Sequence, residues 1–325
     1  MPVASLNPSD RVRGRLRTVL AALIGLATLV AVMLADLNND VAARPAPDEI
    51  GAAALPDRTS VAATTVVARK PSALTTGVPA GTSLRVHRGD LVITKADTRI
   101  DRLDIHGFVV VKAPRVKITR SIVRGGKSPR TAMGLVTNYG QPGLVIEDSL
   151  LKPAYPSVYV DGIKGWNFTA RRVHVVGNVD SIKIHGDNVW VEKSLLENTT
   201  RFTSDPYQGG GATHNDNIQV MKGRNITIWM NTIRGAQNFA ILGSANIGST
   251  PNLVIRGNWL DGGHCTVKLQ SLRSYRLKVQ LAHNRFGPNR RIAYCPVQAE
   301  PQVTLSAWNN LYERNRRPIA IYRGR

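Results

Sequence analysis

The most regular feature of the chain is an octet with apolar residues at its first and third positions and Ser or Asn at its sixth. It reads Val116-Lys-Ile-Thr-Arg-Ser-Ile-Val123, Leu144-Val-Ile-Glu-Asp-Ser-Leu-Leu151, Val189-Trp-Val-Glu-Lys-Ser-Leu-Leu196, Ile226-Thr-Ile-Trp-Met-Asn-Thr-Ile233, Leu253-Val-Ile-Arg-Gly-Asn-Trp-Leu260 and Val279-Gln-Leu-Ala-His-Asn-Arg-Phe286. A weaker copy spans Asn167 to His174, with Arg172 at the sixth position, and an irregular copy spans Val303 to Tyr312. Apolar residues two apart predict a strand with one face buried. The copies begin at 116, 144, 167, 189, 226, 253, 279 and 303, so the steps are 28, 23, 22, 37, 27, 26 and 24 residues.

Three short strands and three turns need about this length, because a strand rises about 3.3 Å per residue. That is one coil of a parallel β-helix, and the expected fold is all-β, a right-handed parallel β-helix over residues 77–325. A doubly wound α/β fold requires a helix of about ten residues or more between strands, a propeller requires about 40 residues per blade, and a leucine-rich horseshoe requires its own consensus; none fits. Ser121, Ser149, Ser194, Asn231, Asn258 and Asn284 should then stack at one bend, where hydroxyls and amides satisfy backbone groups along the axis.

The periodic region has a different kind of sequence before it. Residues 1–17 carry Arg11, Arg13, Arg15 and Arg17, and 18–35 form an uninterrupted apolar or small run ending before Asp36. We read the run as a signal anchor or a signal peptide, with the basic segment cytoplasmic and the body extracytoplasmic, membrane-anchored or secreted. Residues 36–76, rich in Ala, Pro and Thr, read as a flexible linker.

Charge adds a partner class. The net charge is +21, and residues 1–78 hold eight basic against six acidic residues, so nearly all the surplus falls on the periodic region. A basic body attracts an acidic polysaccharide or another anionic envelope polymer. Nucleic acid is not expected, because the cations are not interleaved with aromatics as stacking platforms require. A monomer is expected. The two cysteines, Cys265 and Cys295, begin similar runs in successive coils; about 4.8 Å apart, they are placed for a disulfide in an exported protein.

A second repeat carries candidate chemistry. Asp161-Gly-Ile-Lys164, Asp180-Ser-Ile-Lys183 and Asp216-Asn-Ile-Gln219 place an Asp and a long polar residue three apart, with an inward Ile between. Lys164, Lys183 and Gln219 should therefore share one outward face with His185, continued by Lys268 and Gln298, above a row of carboxylates. The 37-residue step contains an insert, Asn198 to Thr213, holding Arg201, Asp205, Tyr207 and Gly209-Gly-Gly211, which delivers His214 and Asn215 to the third tetrad. Insertions on a regular scaffold commonly bind ligands. The three Asp residues serve equally well as bend residues bonded to backbone amides, and both roles stay open.

Gly77-Val-Pro-Ala-Gly-Thr-Ser-Leu84, Ile100-Asp-Arg-Leu-Asp-Ile105, Val116-Lys-Ile-Thr-Arg-Ser121 and above all His214-Asn-Asp-Asn-Ile-Gln219 resemble the exported β-helix proteins of the pectate-lyase-like superfamily, over about residues 77–325. That resemblance implies a polysaccharide lyase, a glycoside hydrolase, a uronate epimerase or a non-catalytic member. The usual motif has Gly where this chain has Asn217, and the paired-Asp motifs of the polygalacturonase hydrolases are not found. The leading expectation is β-elimination on a uronate polysaccharide, with a non-catalytic binder of an anionic envelope polymer as the alternative. Its catalytic set is His214, Asp216, Lys183 and Asp180: Lys183 neutralises the substrate carboxylate, His214 is base or acid, Asp216 orients it, and Asp180 with Asp216 would be the carboxylate pair for hydrolysis. Lys164, Asp161, His185, Gln219, Tyr207, Arg201 and Asn215 line the substrate, with Tyr207 or His185 as a second proton relay. Some relatives use calcium, for which Asp180, Asn215 and Asp216 are the candidate ligands; no zinc or EF-hand spacing is present.

Overall fold

The computed structural model describes residues 69–127, 129, 131–271 and 275–324. The basic segment, the apolar run and nearly all of the linker lie outside the described residues. Among those described, no helix is long and apolar enough to cross a membrane. Among the described residues one 3-10 turn, Pro206–Gln208, interrupts an otherwise all-β arrangement.

The strands pair in parallel with the next coil and build three faces. Face one is a ten-stranded sheet running from Arg85–Arg88 through His174–Val176 and Leu195–Glu197 to Leu311–Tyr312. Face two includes Leu91–Ile93, Val109–Val111, residues 133–139 and 160–166, Ile182–Ile184, Ile218–Val220, Ile241–Gly243, Val267–Leu269 and Val297–Ala299. Face three includes Lys117–Thr119, residues 144–147 and 168–171, Val189–Glu192, Ile226–Trp229 and Thr250–Arg256. The chain visits the faces in that order in each coil, which makes a parallel β-helix. The interior is a set of stacked apolar columns; Ile163, Ile182, Ile218, Ile241, Val267 and Val297 are in mutual register and fully buried. Burying each such side chain is worth about 1.5–3 kcal/mol.

Each octet spans the corner from face three to face one. Its fifth residue takes the left-handed conformation, as at Arg120 (φ 45), Asp148 (φ 49), Lys193 (φ 49) and His283 (φ 58), which turns the chain sharply between strands. Register corrects two copies. Phe168 pairs with Leu144 and with Val189, so that octet begins at 168, Arg172 (φ 48) is its fifth residue and Val173 its sixth. Leu305 pairs with Val279, so the last copy is a regular octet, 305–312, with Asn310 at the sixth position. The expected column exists. Ser121 Oγ accepts from Leu103 N and Ser149 Oγ from Ser121 N, both at 3.1 Å. From Asn231 onward an amide ladder takes over: Asn231 N and Nδ2 donate to Asn258 Oδ1 at 2.9 and 3.0 Å, and Asn258 does the same to Asn284.

A second ladder, exposed, runs along the corner from face two to face three. Asn188 Nδ2 donates to Asn167 Oδ1, Asn225 Nδ2 to Asn188 Oδ1, and Asn252 Nδ2 to Asn225 Oδ1, at 2.7–3.0 Å. Asn167, Asn188 and Asn225 all have φ near 58, a conformation asparagine tolerates better than most residues.

Residues 69–76, assigned from sequence to the linker, lie against face one. Lys70 pairs with Glu313 at 2.7 Å, Thr76 is buried, and Gly77 N donates to Arg172 O at 2.8 Å. This strap runs from the last coils toward the first and covers part of the outward side of that sheet. The cysteines form the expected disulfide, with Cα atoms 4.9 Å apart.

Candidate functional site

The three Asp tetrads meet at the corner from face one to face two. Lys164, Lys183 and Gln219 are in register, and the column continues through Leu242 to Lys268 and Gln298. Leu242 corrects the expectation of an unbroken polar column: one apolar rung separates the first three residues from the last two.

The carboxylates stack as backbone acceptors. Asp161 Oδ1 accepts from Asp180 N at 3.3 Å, Asp180 Oδ1 from Asp216 N at 2.8 Å, and Asp216 Oδ1 from Phe239 N and Asn238 Nδ2, both at 2.9 Å. Each Asp therefore caps the same bend in the coil above. The second oxygens differ. Asp161 Oδ2 lies 3.5 Å from Lys164 Nζ, and Asp180 Oδ2 accepts from Lys183 Nζ at 2.8 Å. In the third tetrad the cation is replaced by Gln219, and both Asp216 Oδ2 and Gln219 Oε1 are buried without a partner among the described residues.

The electrostatics follow from this substitution. Burial, then the neighbouring Asp180, push the Asp216 carboxyl well above the ordinary carboxylate range. Burial also pushes Asp180 up, while the Lys183 ammonium pulls it back. Burial works against the ammonium of Lys183, but Asp180 and then Asp161 outweigh it and hold it charged. The two tendencies at the Asp180–Lys183 pair conflict. The hydrogen bonds decide for the ion pair, because both Asp180 oxygens accept from N–H donors, which favours the carboxylate. Asp216 instead suits a neutral carboxylic acid, because its Oδ2 is buried with no donor on it among the described residues.

His185 follows Lys183 by two residues on the same outward face. Its ring is held neutral, lowered to about 4 by burial first and then by Lys164 and Lys183. Along the strands it continues the column of Tyr139 and Trp166, which pair in register. Trp166 is seated between glycine backbones; a Cβ on Gly140 or Gly186 would come within 2.5 or 2.7 Å of its ring. Tyr139 is 58% exposed. These aromatics beside Lys164 and Lys183 escape sequence reasoning, which tracked the tetrads and not the residues two places further along each strand.

The insert is a closed loop. Thr213 N donates to Phe202 O at 3.0 Å and Phe202 N to Thr213 Oγ1 at 3.0 Å, which ties its neck. Asp205 is buried and caps the 3-10 turn by accepting from Tyr207 N at 2.9 Å. Tyr207 packs edge-on against Tyr159, with ring centroids 5.8 Å apart. Because Tyr159 directly precedes the strand carrying Asp161 and Lys164, the insert reaches back over the rungs of the two lysines. Arg201 is exposed.

Two expected arrangements are not formed. His214 is exposed and makes no hydrogen bond among the described residues, and Asp216 Oδ1 is occupied by Asn238 and Phe239; Asp216 does not orient His214. The candidate calcium set does not fit either. Asn215 is buried with its amide bonded to Thr199 Oγ1 at 3.0 Å, and both Asp180 oxygens are engaged, one of them by an ammonium. A cation there would face Lys183.

The fold and this corner define a parallel β-helix with a cation-bearing outward face bordered by one inserted loop. No family model matches the chain, and no curated protein matches it. Among solved structures, the crystal structure of the Dettilon tailspike protein (gp208) is similar, at 16% identity and a TM-score of 0.45, over 74% of this chain and 52% of that one. The chain thus spans about half the length of that protein. The fold assignment rests on the strand pairing described above.

Proposed function

We propose that face two, at Lys164, Lys183 and His185, binds an acidic polysaccharide and cleaves it by β-elimination next to a uronate carboxylate. The observation that supports this is a neutral imidazole held beside two cations. In the reaction, the ammonium groups of Lys164 and Lys183 offset the substrate carboxylate and stabilise the charge that develops on it. His185 takes the proton from the carbon next to that carboxylate, the electron pair forms a carbon–carbon double bond, and the glycosidic C–O bond breaks. The Tyr207 hydroxyl returns a proton to the leaving oxygen. A carboxylate arriving between the lysines also cancels the field that makes His185 a weak base, so substrate binding strengthens the base that acts on it. Asp180 holds Lys183 in place.

Hydrolysis needs two carboxyl groups that reach the bond, and Asp180 and Asp216 are fully buried. A non-catalytic binder of an anionic envelope polymer is the second reading, favoured by the employment of all three Asp residues as backbone caps. The two separate on one experiment: the full chain is incubated with a panel of uronate polysaccharides while the ultraviolet absorbance of the unsaturated product is followed. A rise that Lys183→Ala abolishes supports elimination. Retained polymer with a flat trace supports the binder.

A further inference from the structure

A polar cavity of about 430 Å³ opens at the same corner, in the coils that follow Lys183. It is lined by Asn198, where the insert begins, and by Arg234, Gln237, Asp261, Asn289 and Arg291, with Gly262 and Gly263 also in its wall. The tetrads do not extend to it.

Two of its charged groups, Arg291 and Asp261, are held by neutral partners. Arg291 Nη1 lies 2.9 Å from His264 Nε2, and Nη2 donates to Gln237 Oε1 at 2.5 Å. Arg291 forms no ion pair among the described residues. His264 is pushed below its usual value by burial and by Arg291, so its ring stays neutral and accepts. Asp261 likewise has no cation on it: Oδ1 accepts from Gly262 N at 3.0 Å and Asn289 N at 2.7 Å, and Oδ2 accepts from Asn289 Nδ2 at 2.7 Å. Arg234 is turned to Glu197 at 2.7 Å, which also meets His174. The cavity thus offers one oriented guanidinium and one oriented carboxylate, each fixed and neither neutralised by a side chain of opposite charge.

We infer that this cavity is a binding subsite for one uronate unit of the polymer. The sugar carboxylate pairs with Arg291 through its free N–H donors, and ring hydroxyls donate to the Asp261 carboxylate. A residue built only to stabilise the coil would pair Arg291 with Asp261 directly. The inference rests on the polysaccharide reading of face two, and adds that chains long enough to reach both places bind more tightly than short ones.

The test measures binding of a galacturonate trimer and a dodecamer by calorimetry to the full chain and to its Lys183→Ala and Arg291→Ala variants. Both variants are first checked for an unchanged melting temperature; Arg291→Gln replaces Arg291→Ala if that variant melts early, and Lys164→Ala replaces Lys183→Ala if loss of the Lys183–Asp180 pair lowers the melting temperature. Arg291→Ala is expected to weaken the dodecamer about tenfold, the loss of one charge-assisted pair, and to leave the trimer unchanged. Lys183→Ala is expected to weaken both. If Arg291→Ala leaves the dodecamer untouched while Lys183→Ala weakens both, the subsite is wrong and the face-two reading stands. If only Arg291→Ala matters, the subsite stands and the face-two reading falls. If neither ligand binds the unmodified chain, both are overturned.

Discussion

Two corners of this β-helix solve the same problem with different side chains. At the corner from face three to face one, Ser and Asn stack so that each oxygen takes a backbone N–H from the neighbouring coil, and each Asn amide also donates to a backbone carbonyl, as Asn258 Nδ2 does to Ile228 O at 2.9 Å. None of the stacked Ser and Asn side chains carries a charge. At the corner from face one to face two, the stacked residues are Asp161, Asp180 and Asp216, and each carboxylate brings a charge into the interior along with its acceptor. Lysines answer the first two, and Gln219 leaves the third to be neutralised by a proton. A ladder of amides closes on itself, whereas a ladder of carboxylates obliges the neighbouring face to carry cations, and under the proposed function those cations are what a polyanion meets.

Several substitutions would break or sharpen that contrast. The largest effect is expected at Asp180→Ala, which strands the Lys183 ammonium and frees the Asp216 N–H; a loss of about 3–5 kcal/mol is expected in denaturant unfolding. Asn258→Ala removes the acceptor of Asn231 and the donor to Ile228 without disturbing any charge, and about 2–3 kcal/mol is expected by the same measurement. Asp216→Asn should cost less than about 1 kcal/mol, because an amide reproduces the neutral acid and its oxygen keeps Phe239 and Asn238. A loss as large as that of Asp180→Ala would show that Asp216 is ionised.

The subtlest test is a pH dependence. The native Asp216 carboxyl has its pKa raised by burial, so the folded chain holds a proton that the unfolded chain releases above about pH 4. Its contribution to stability is full below that pH and is lost as pH rises through the native value. Gln219→Lys supplies the missing cation and draws that value down. The difference in unfolding midpoint between Gln219→Lys and the unmodified chain should therefore grow in favour of the variant as pH rises. A pH-independent difference would contradict the neutral assignment.

Much of this architecture was legible in the residues. The octets announced strands and a corner because apolar alternation and the Ser or Asn position are both demanded by stacking. The cysteine pair followed from coil spacing, and the insert from one long step. The misplaced octet at Asn167 arose because Arg171 and Arg172 blur which residue turns, and only pairing of Phe168 with its neighbours fixes it. The site was harder to read. Sequence shows that Asp216 and His214 are two apart but not that a bend directs the carboxylate to Phe239 and leaves the imidazole in solvent. The role of His185 depends on the field of lysines from two coils, which no local spacing expresses.

The most direct measurement is the rate of unsaturated uronate formation by the full chain and by His185→Ala, followed by ultraviolet absorbance across pH. Protonation removes the base, so kcat/KM of the unmodified chain, which reports the imidazole before substrate arrives, is expected to rise with pH through about 4 and then to hold, while His185→Ala, folded and still binding polymer, forms no product. Product formation by His185→Ala at the unmodified rate would contradict the account.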